Sequence, residues 1–475
     1  MKICLILEGS YPYVHGGVST WMHEYIQKMP EQEFCLWVIG ARAAHRGRFV
    51  YDLPPNVTGV QEVFLDDALR MKEADRDGPA LSDAERQALR ELIRCGHPDW
   101  NLLFDRYQNR QADPMATLRS EEFLETLTAL CLEEHPYAAF ADTFHTVRSM
   151  LLPVLYLLTT AVPPADCYHA ICTGYGGLLA ALGAWKHRAP LLLTEHGIYT
   201  REREEEIIRA KWVQPAFKDQ WIRFFYMLSE VIYSRAQGVT SLFASAMRTQ
   251  IELGCDAARC RIIANGIDFE RMAAVPPKPG DGMVDIGAVV RMAPIKDIKT
   301  MIYAFYELRA RRQDVRLHIL GGVDDAQYDR ECRALVAQLG LTDSILFPGR
   351  VDIVRYFEKL DFTLLTSISE GQPLSVLESL AACRPCVTTD VGCCRALLEG
   401  EPGDDLGVCG LCVPPMYREG LADAMERLCQ SRALREQMGK IGRQRVDRFY
   451  RHERMLEQYR ELYREVQHCD GGCRV

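Results

Sequence analysis

The chain has 475 residues, more than one hydrophobic core usually serves, so two or more domains are expected. Hydrophobic residues make up 48% and charged residues 25%, which excludes a largely disordered or fibrous chain. A net charge of −9 leaves no basic footprint, so no nucleic-acid partner is expected.

The opening MKICLILEGSY carries an apolar run from Lys2 to Leu7, too short for the core of a signal peptide, and no span of 18 apolar residues follows. A soluble, cytoplasmic protein is expected on that ground. The eighteen cysteines then read as thiols. Cys4, Cys35 and Cys172 lie in strand-like runs, where cysteine acts as a small core residue. CGLC at 409–412 and the close pairs Cys383/Cys386 and Cys469/Cys473 lack a His or CxxC partner at zinc-binding spacing, so no metal is expected.

After the first strand comes GSYPYVHGGVST (9–20), then a helical pattern through Trp21, Tyr25, Ile26 and Met29. The loop is not GxGxxG, yet adjacent Gly16 and Gly17 let backbone approach a ligand at a strand's carboxyl end, or simply form a tight turn. Strand patterns recur at 34–40 and 57–65. From about 66 to 150 the chain is charged and helix-favouring, read as a helical insertion with a solvated face. Strand–loop–helix alternation resumes at DCYHAICTGYGGLLA (166–180) and LLLTEHGIYTRER (191–203), which puts His196 directly after a buried strand. Such a His is either structural or part of a ligand site. A helix over 221–236, a strand at 238–243, a helix near 245–253 and RIIANGID (261–268) follow. AAVPPKPGDG (273–282) is the clearest linker.

The second half repeats the pattern, with strands at 284–290, 315–322, 344–349, 361–366 and 385–390 and a charged terminal helix from about 449 to 468. Arg291 and Lys296 fall in the loop after the first of these strands. They would lie near the loop after 361–366 if the two strands are parallel neighbours, and with amide donors they form a plausible diphosphate clamp. Solvated surface cations are the plainer reading.

SISEGQPLSVLE (367–378) places Glu370 in a loop and Glu378 on a helix opened by Pro373 at its first helical position, leaving the amides of Leu374 and Ser375 free for an anion. A glycosidase pair needs carboxylates roughly 5–9.5 Å apart across one bond. The spacing here suits a longer ligand such as a sugar nucleotide, whose hydroxyls meet carboxylates and whose diphosphate meets helix amides. A surface helix with one solvated and one capping Glu is the alternative.

These strings resemble the family 4 retaining glycosyltransferases of GT-B fold, through the E-x7-E of Glu370 and Glu378, VVRMAPIKD and IIANGID. The resemblance implies an α/β, GT-B chain of two Rossmann-like domains facing a cleft. By it, 1–272 is an acceptor domain with the 66–150 insertion, 283–448 a nucleotide-sugar domain, and 449–475 a helix crossing back. It gives Glu370 the donor sugar and Glu378 the ribose. Gly371, Leu374 and Ser375, with Arg291 and Lys296, would meet the donor diphosphate, and Gly16 and Gly17 the donor phosphates or the acceptor. His196 would support the sugar's far side. The activity implied is metal-independent, retaining transfer from a UDP-sugar by front-face attack, with catalysis by Glu370, His196, Arg291 and Lys296. With EGSYPYVHGGVSTW, YHAICTGYGGLLA and TEHGIYTRERE, the whole chain is similar to the cytoplasmic glycosyltransferases of the bacterial Pel exopolysaccharide system. That implies a polysaccharide acceptor and inner-membrane Pel synthase and export partners that would recruit the protein to the membrane. A sugar-nucleotide epimerase or hydrolase of the same fold, or a non-catalytic UDP-sugar-binding subunit, remains open. In SLAACRPCV, Cys383 replaces the glycine usual before Arg–Pro, which puts that turn's geometry in question.

Overall fold

The computed structural model describes residues 1–71 and 80–469, so part of the 66–150 insertion, and Cys473 of the Cys469/Cys473 pair, lie outside the described residues. The chain divides into two compact units, Met1–Ile262 with the segment from Arg460, and Ile263–Tyr459.

The first unit contains β1 (Lys2–Glu8), β2 (Glu33–Gly40), β3 (Val57–Phe64), β4 (Cys167–Ala170), β5 (Leu191–Glu195), β6 (Gly238–Ser241) and β7 (Cys260–Ile262). Among the described residues these form a parallel sheet in the order β3-β2-β1-β4-β5-β6-β7. Its central strands are continuous apolar runs, as a sheet covered on both faces requires. The helices are α1 (Gly17–Gln27), α2 (Asp83–Arg94), α3 (Trp100–Gln108), α4 (Pro114–Thr117), α5 (Glu121–Glu134), α6 (Phe140–Leu158), α7 (Gly174–His187), α8 (Tyr199–Arg209), α9 (Lys218–Tyr233) and α10 (Ala244–Glu252). The insertion helices α2 to α6 do not stand apart. Leu92, Phe104, Leu127 and Leu155 belong to one buried apolar cluster with Trp37, Ile39 and Leu179. Entry into α2 is set by a capping box in which Ser82 and Glu85 satisfy each other's backbone N–H.

The second unit contains β8 (Val284–Val289), β9 (Val315–Leu320), β10 (Ile345–Gly349), β11 (Phe362–Leu365), β12 (Cys386–Thr389) and β13 (Gly410–Val413), in the parallel order β10-β9-β8-β11-β12-β13. Its helices are α11 (Phe269–Ala273), α12 (Ile298–Arg311), α13 (Ala326–Gln338), α14 (Ile353–Phe357), α15 (Leu374–Ala381), α16 (Cys394–Glu399), α17 (Arg418–Gln430), α18 (Arg432–Phe449) and α19 (His452–Cys469). CGLC at 409–412 enters edge strand β13. The Cys409 thiol donates to the Leu397 carbonyl and its sulfur accepts from Arg445, while Cys412 accepts from Thr388. No group of three or more metal-type ligands occurs among the described residues.

The compact units part at Ile262/Ile263, ahead of the 273–282 linker. The reason is local: the Asn265 N–H donates to Gln372 Oε1 at 2.6 Å, Ile267 bridges to Arg451, and Lys278 of the linker holds Asp361 at 2.9 Å. Residues 263–272 therefore pack with the second unit. The turn in question at Cys383 is left-handed, φ +58, which glycine would adopt without strain. Buried Arg384 binds its surroundings together by donating to the carbonyls of Ala382, Phe357, Leu360 and Pro276.

From Arg460, α19 belongs to the first unit. Arg460 donates to Glu31 and to the Lys28 carbonyl, and Arg261 pairs with Glu465. A buried polar chain runs inward from it. Tyr25 Oη donates to Tyr463 Oη at 2.7 Å, Tyr463 meets His169 Nδ1 at 2.7 Å, and His169 Nε2 meets Thr194 Oγ1 at 2.8 Å. Burial, and secondarily the neighbouring His196, push the His169 imidazole down to about 3.

Because the folded-state value lies below the unfolded one near 6.5, the stability owed to neutral His169 is complete above pH 6.5 and is lost as pH falls toward 3. That share amounts to about 1.4 kcal/mol per pH unit. Denaturant unfolding between pH 7 and pH 4 should show this slope reduced in His169→Gln, and an unreduced slope would remove His169 as its source.

Candidate active site

In open α/β sheets, ligands bind outside the carboxyl ends of the strands where strand order reverses. In the second unit that point lies between β8 and β11, which pair directly with Phe362 opposite Ile286. The loop after β8 carries Arg291 and Lys296, and the loop after β11 carries Glu370, so the two are stitched together there. The Ile368 N–H donates to the Ile295 carbonyl at 2.9 Å, and Thr366 Oγ1 to the Lys296 carbonyl at 3.0 Å.

The stitching puts Lys296 Nζ 2.5 Å from Glu370 Oε1. Their side chains are only 17% and 12% exposed. Ser367 Oγ donates to the same carboxylate oxygen at 2.5 Å. Among the described residues Glu370 Oε2 has no hydrogen bond. Arg291 differs: 54% exposed, it pairs with Asp324 after β9. An exposed pair of that kind holds its partners weakly.

Pro373 is the N-cap of α15, with extended ψ 114, and not its first helical residue. Helical dihedrals begin at Leu374 because Pro373 keeps its carbonyl in position to accept from Val376 at 3.1 Å. The amides of Leu374 and Ser375 remain without hydrogen-bond acceptors among the described residues, at the positive end of the helix. Glu378 lies half-buried on α15. Gly371 is held from below, its carbonyl accepting from the Cys393 N–H at 3.1 Å. Gly392 is what allows this approach. Its φ is +57, and a Cβ there would lie 2.2 Å from the Glu370 carbonyl oxygen and 2.3 Å from that of Gly371. Nothing in the sequence pattern marks Gly392, Ser367 or Thr366.

In the first unit the reversal lies between β1 and β4. Gly16 caps α1 in fully extended backbone, Gly17 opens the helix, and a Cβ on either would meet nothing within 4 Å. Their side is open. His196, after β5, sits edge-on to Trp21, ring centroids 4.5 Å apart, with a buried Nε2 that has no partner among the described residues. Burial depresses it to about 4, so the imidazole is neutral. Glu195, one residue earlier, is pushed up by burial to about 7 although Tyr233 and Gln250 both donate to its Oε2. Sequence reading passed over Glu195 and Trp21 because each fits an ordinary strand or helix pattern.

Residues 1–258 match the family described as a domain of unknown function (DUF3492), and residues 284–431 match the family described as glycosyl transferases group 1. The first match spans more than half of the chain, which therefore belongs to the DUF3492 family. The second match contains Arg291, Lys296, Glu370 and Glu378. The MMP α-(1→4)-mannosyltransferase of Mycolicibacterium hassiacum is 25% identical over 58% of this chain and 64% of its own length. The N-acetyl-α-D-glucosaminyl L-malate synthase of Bacillus anthracis is 27% identical over 38% of this chain and 45% of its own. The chain thus spans less than two thirds of the length of these curated relatives. The crystal structure of Anabaena HepE in complex with UDP superposes with a TM-score of 0.61 at 14% identity, covering 98% of this chain and all of that one. The fold of the chain is therefore GT-B, two Rossmann-like parallel-sheet domains.

Gly392→Ala should destabilise the protein by at least about 1–2 kcal/mol, the cost of left-handed backbone alone, while Gly16→Ala leaves thermal unfolding unchanged. Equal thermal shifts in the two variants would show that the Gly392 contact does not hold the Glu370 loop.

Proposed function

We propose that the chain is a retaining, metal-independent glycosyltransferase that moves a sugar from a UDP-sugar to a growing polysaccharide, in the manner of PelF of the bacterial Pel exopolysaccharide system. The observation that carries this reading is the Lys296–Glu370 pair beside the free amides of α15, inside the stretch that matches the group 1 glycosyltransferases. A buried ammonium keeps two further N–H donors after binding Glu370 Oε1. Those donors, with Arg291 and the amides of Leu374 and Ser375, suit a diphosphate, and Glu370 Oε2 suits a sugar hydroxyl. Glu378, on the same helix, takes the ribose.

In this reading the bond from the anomeric carbon to the β-phosphate oxygen breaks as the acceptor hydroxyl attacks the same face. The departing phosphate oxygen takes the acceptor's proton. Negative charge grows on the diphosphate, where Lys296, Arg291 and the α15 dipole are already oriented, so stabilisation increases toward the transition state. Similar proteins support the class: the Mycolicibacterium hassiacum relative is a mannosyltransferase, and HepE was crystallised with UDP. Export proteins of the inner membrane are the proposed partners of a cytoplasmic enzyme. Incubation with labelled UDP-sugars, with and without oligosaccharide acceptor, tests the reading. Epimerised or hydrolysed sugar without acceptor would favour the isomerase or hydrolase alternative, and binding without turnover a non-catalytic subunit.

Lys296→Ala should lower kcat/KM by about one to two decades, the worth of a charge-assisted hydrogen bond of about 1.5–3 kcal/mol. Parent-like kinetics would take Lys296 out of the site. In calorimetric titrations Glu378→Ala should weaken UDP and UDP-sugar alike, whereas Glu370→Ala should leave UDP affinity nearly intact and lower turnover. A larger loss of UDP affinity in Glu370→Ala would mean the donor lies the other way round.

A further inference from the structure

β11 runs into two consecutive hydroxyl residues, Thr366 and Ser367, both fully buried. Neighbouring side chains on extended backbone point to opposite sides, and these two reach different loops. Thr366 Oγ1 lies 3.0 Å from the carbonyl oxygen of Lys296 and 3.2 Å from that of Asp297. Ser367 Oγ donates to Glu370 Oε1. The Ser367 carbonyl in turn accepts from Thr389 Oγ1 at 2.6 Å, which ties it to the end of β12. Each donor is thus fixed by a strand of the sheet, and each acceptor belongs to a loop of the donor site.

We propose that Ser367 and Thr366 are positioning residues, Ser367 aiming the Glu370 carboxylate at the donor's sugar and Thr366 holding the Lys296 loop at its diphosphate. This rests on the donor-site reading above. The physical argument is one of freedom. Lys296 is a flexible stem ending in a point charge, and alone it would hold either carboxylate oxygen. A hydroxyl from rigid backbone on the same oxygen leaves one orientation for the carboxylate, and Oε2 then faces away from both. Thr366 acts on main chain and so sets where the Lys296 stem begins, without touching Glu370.

The test is calorimetric titration of the full chain with UDP and with UDP-glucose, UDP-galactose and their N-acetylated forms, using the tightest UDP-sugar. The ratio of the two Kd values isolates the sugar. Ser367→Ala should shift that ratio by about tenfold against the sugar, as expected for a lost hydrogen bond to a charged group, with UDP affinity unchanged. In a Glu370→Ala background the same substitution should shift nothing further, since Ser367 acts through Glu370. Thr366→Val should weaken UDP and UDP-sugar together and leave the ratio alone. Ser367→Cys, close in size and a poor donor, should repeat the Ser367→Ala result if the alanine variant fails to fold by thermal unfolding. An unchanged ratio in Ser367→Ala or Ser367→Cys, or a full additional loss in the Glu370→Ala background, would overturn the proposal. A parent protein that binds neither UDP nor any UDP-sugar would instead overturn the donor-site reading on which it stands.

Discussion

An ammonium and a carboxylate, both largely withdrawn from water, face each other where β8 and β11 end. Each charge offsets the other's loss of water, so a variant lacking either leaves its partner less well satisfied and costs stability. Much of the surrounding detail serves to make that encounter geometrically possible. β8 and β11 must be neighbours although more than seventy residues separate them, their following loops must share backbone hydrogen bonds, and the floor under Glu370 must be thin enough for a glycine's peptide to press against it. Arg291 shows the contrast. It stands in the same loop as Lys296, but its partner Asp324 is reached through water-exposed side chains, and it is correspondingly easy to redirect.

The two units treat charge differently at their strand ends. In the second, cations and helix amides concentrate positive potential. In the first, burial favours the neutral forms of three groups: His169 and His196 are held well below the ordinary histidine range, and Glu195 is pushed above the carboxylate range to about 7. The opposite end of the second sheet is neither. There burial raises the Asp285 carboxyl, yet hydrogen bonds from His318, Arg316 and Lys278 outweigh it and hold the group low, a charged cluster that secures the linker to its unit.

Much of the architecture was legible because its signals are local. Short apolar runs from Ile3 to Leu7 and from Phe362 to Leu365, each followed by loop residues, read as buried strands, and Met301, Ala304, Phe305 and Leu308 repeat at helical spacing. Glu370 in a loop and Glu378 on a helix followed from the same periodicity. Pro373 was read one position too deep, since a proline φ suits the N-cap as well as the first helical residue and only ψ separates them. The unit boundary eluded composition because Asn265 and Ile267 are held by partners about a hundred or more residues away, Gln372 and Arg451. Gly392 and Ser367 were invisible for a similar reason, their meaning lying in what stands across from them and not in their own neighbours. The insertion was visible as helices, but its sharing of a core with Trp37 and Leu179 was not, because amphipathic faces do not name their partners.

Helix α19 begins among residues of the second unit and ends in the core of the first, with Tyr463 filling the place between Tyr25 and His169. On a ribosome this has a temporal meaning. The first unit emerges early, but the tyrosine that completes its buried polar chain is made only after about two hundred further residues. At ordinary translation speed that interval is roughly 10–40 s. Until it ends, the nascent first unit lacks the hydroxyl that both Tyr25 and His169 Nδ1 reach in the finished fold. For the same reason, the two halves cannot be separated by a single cut in the linker and both remain whole.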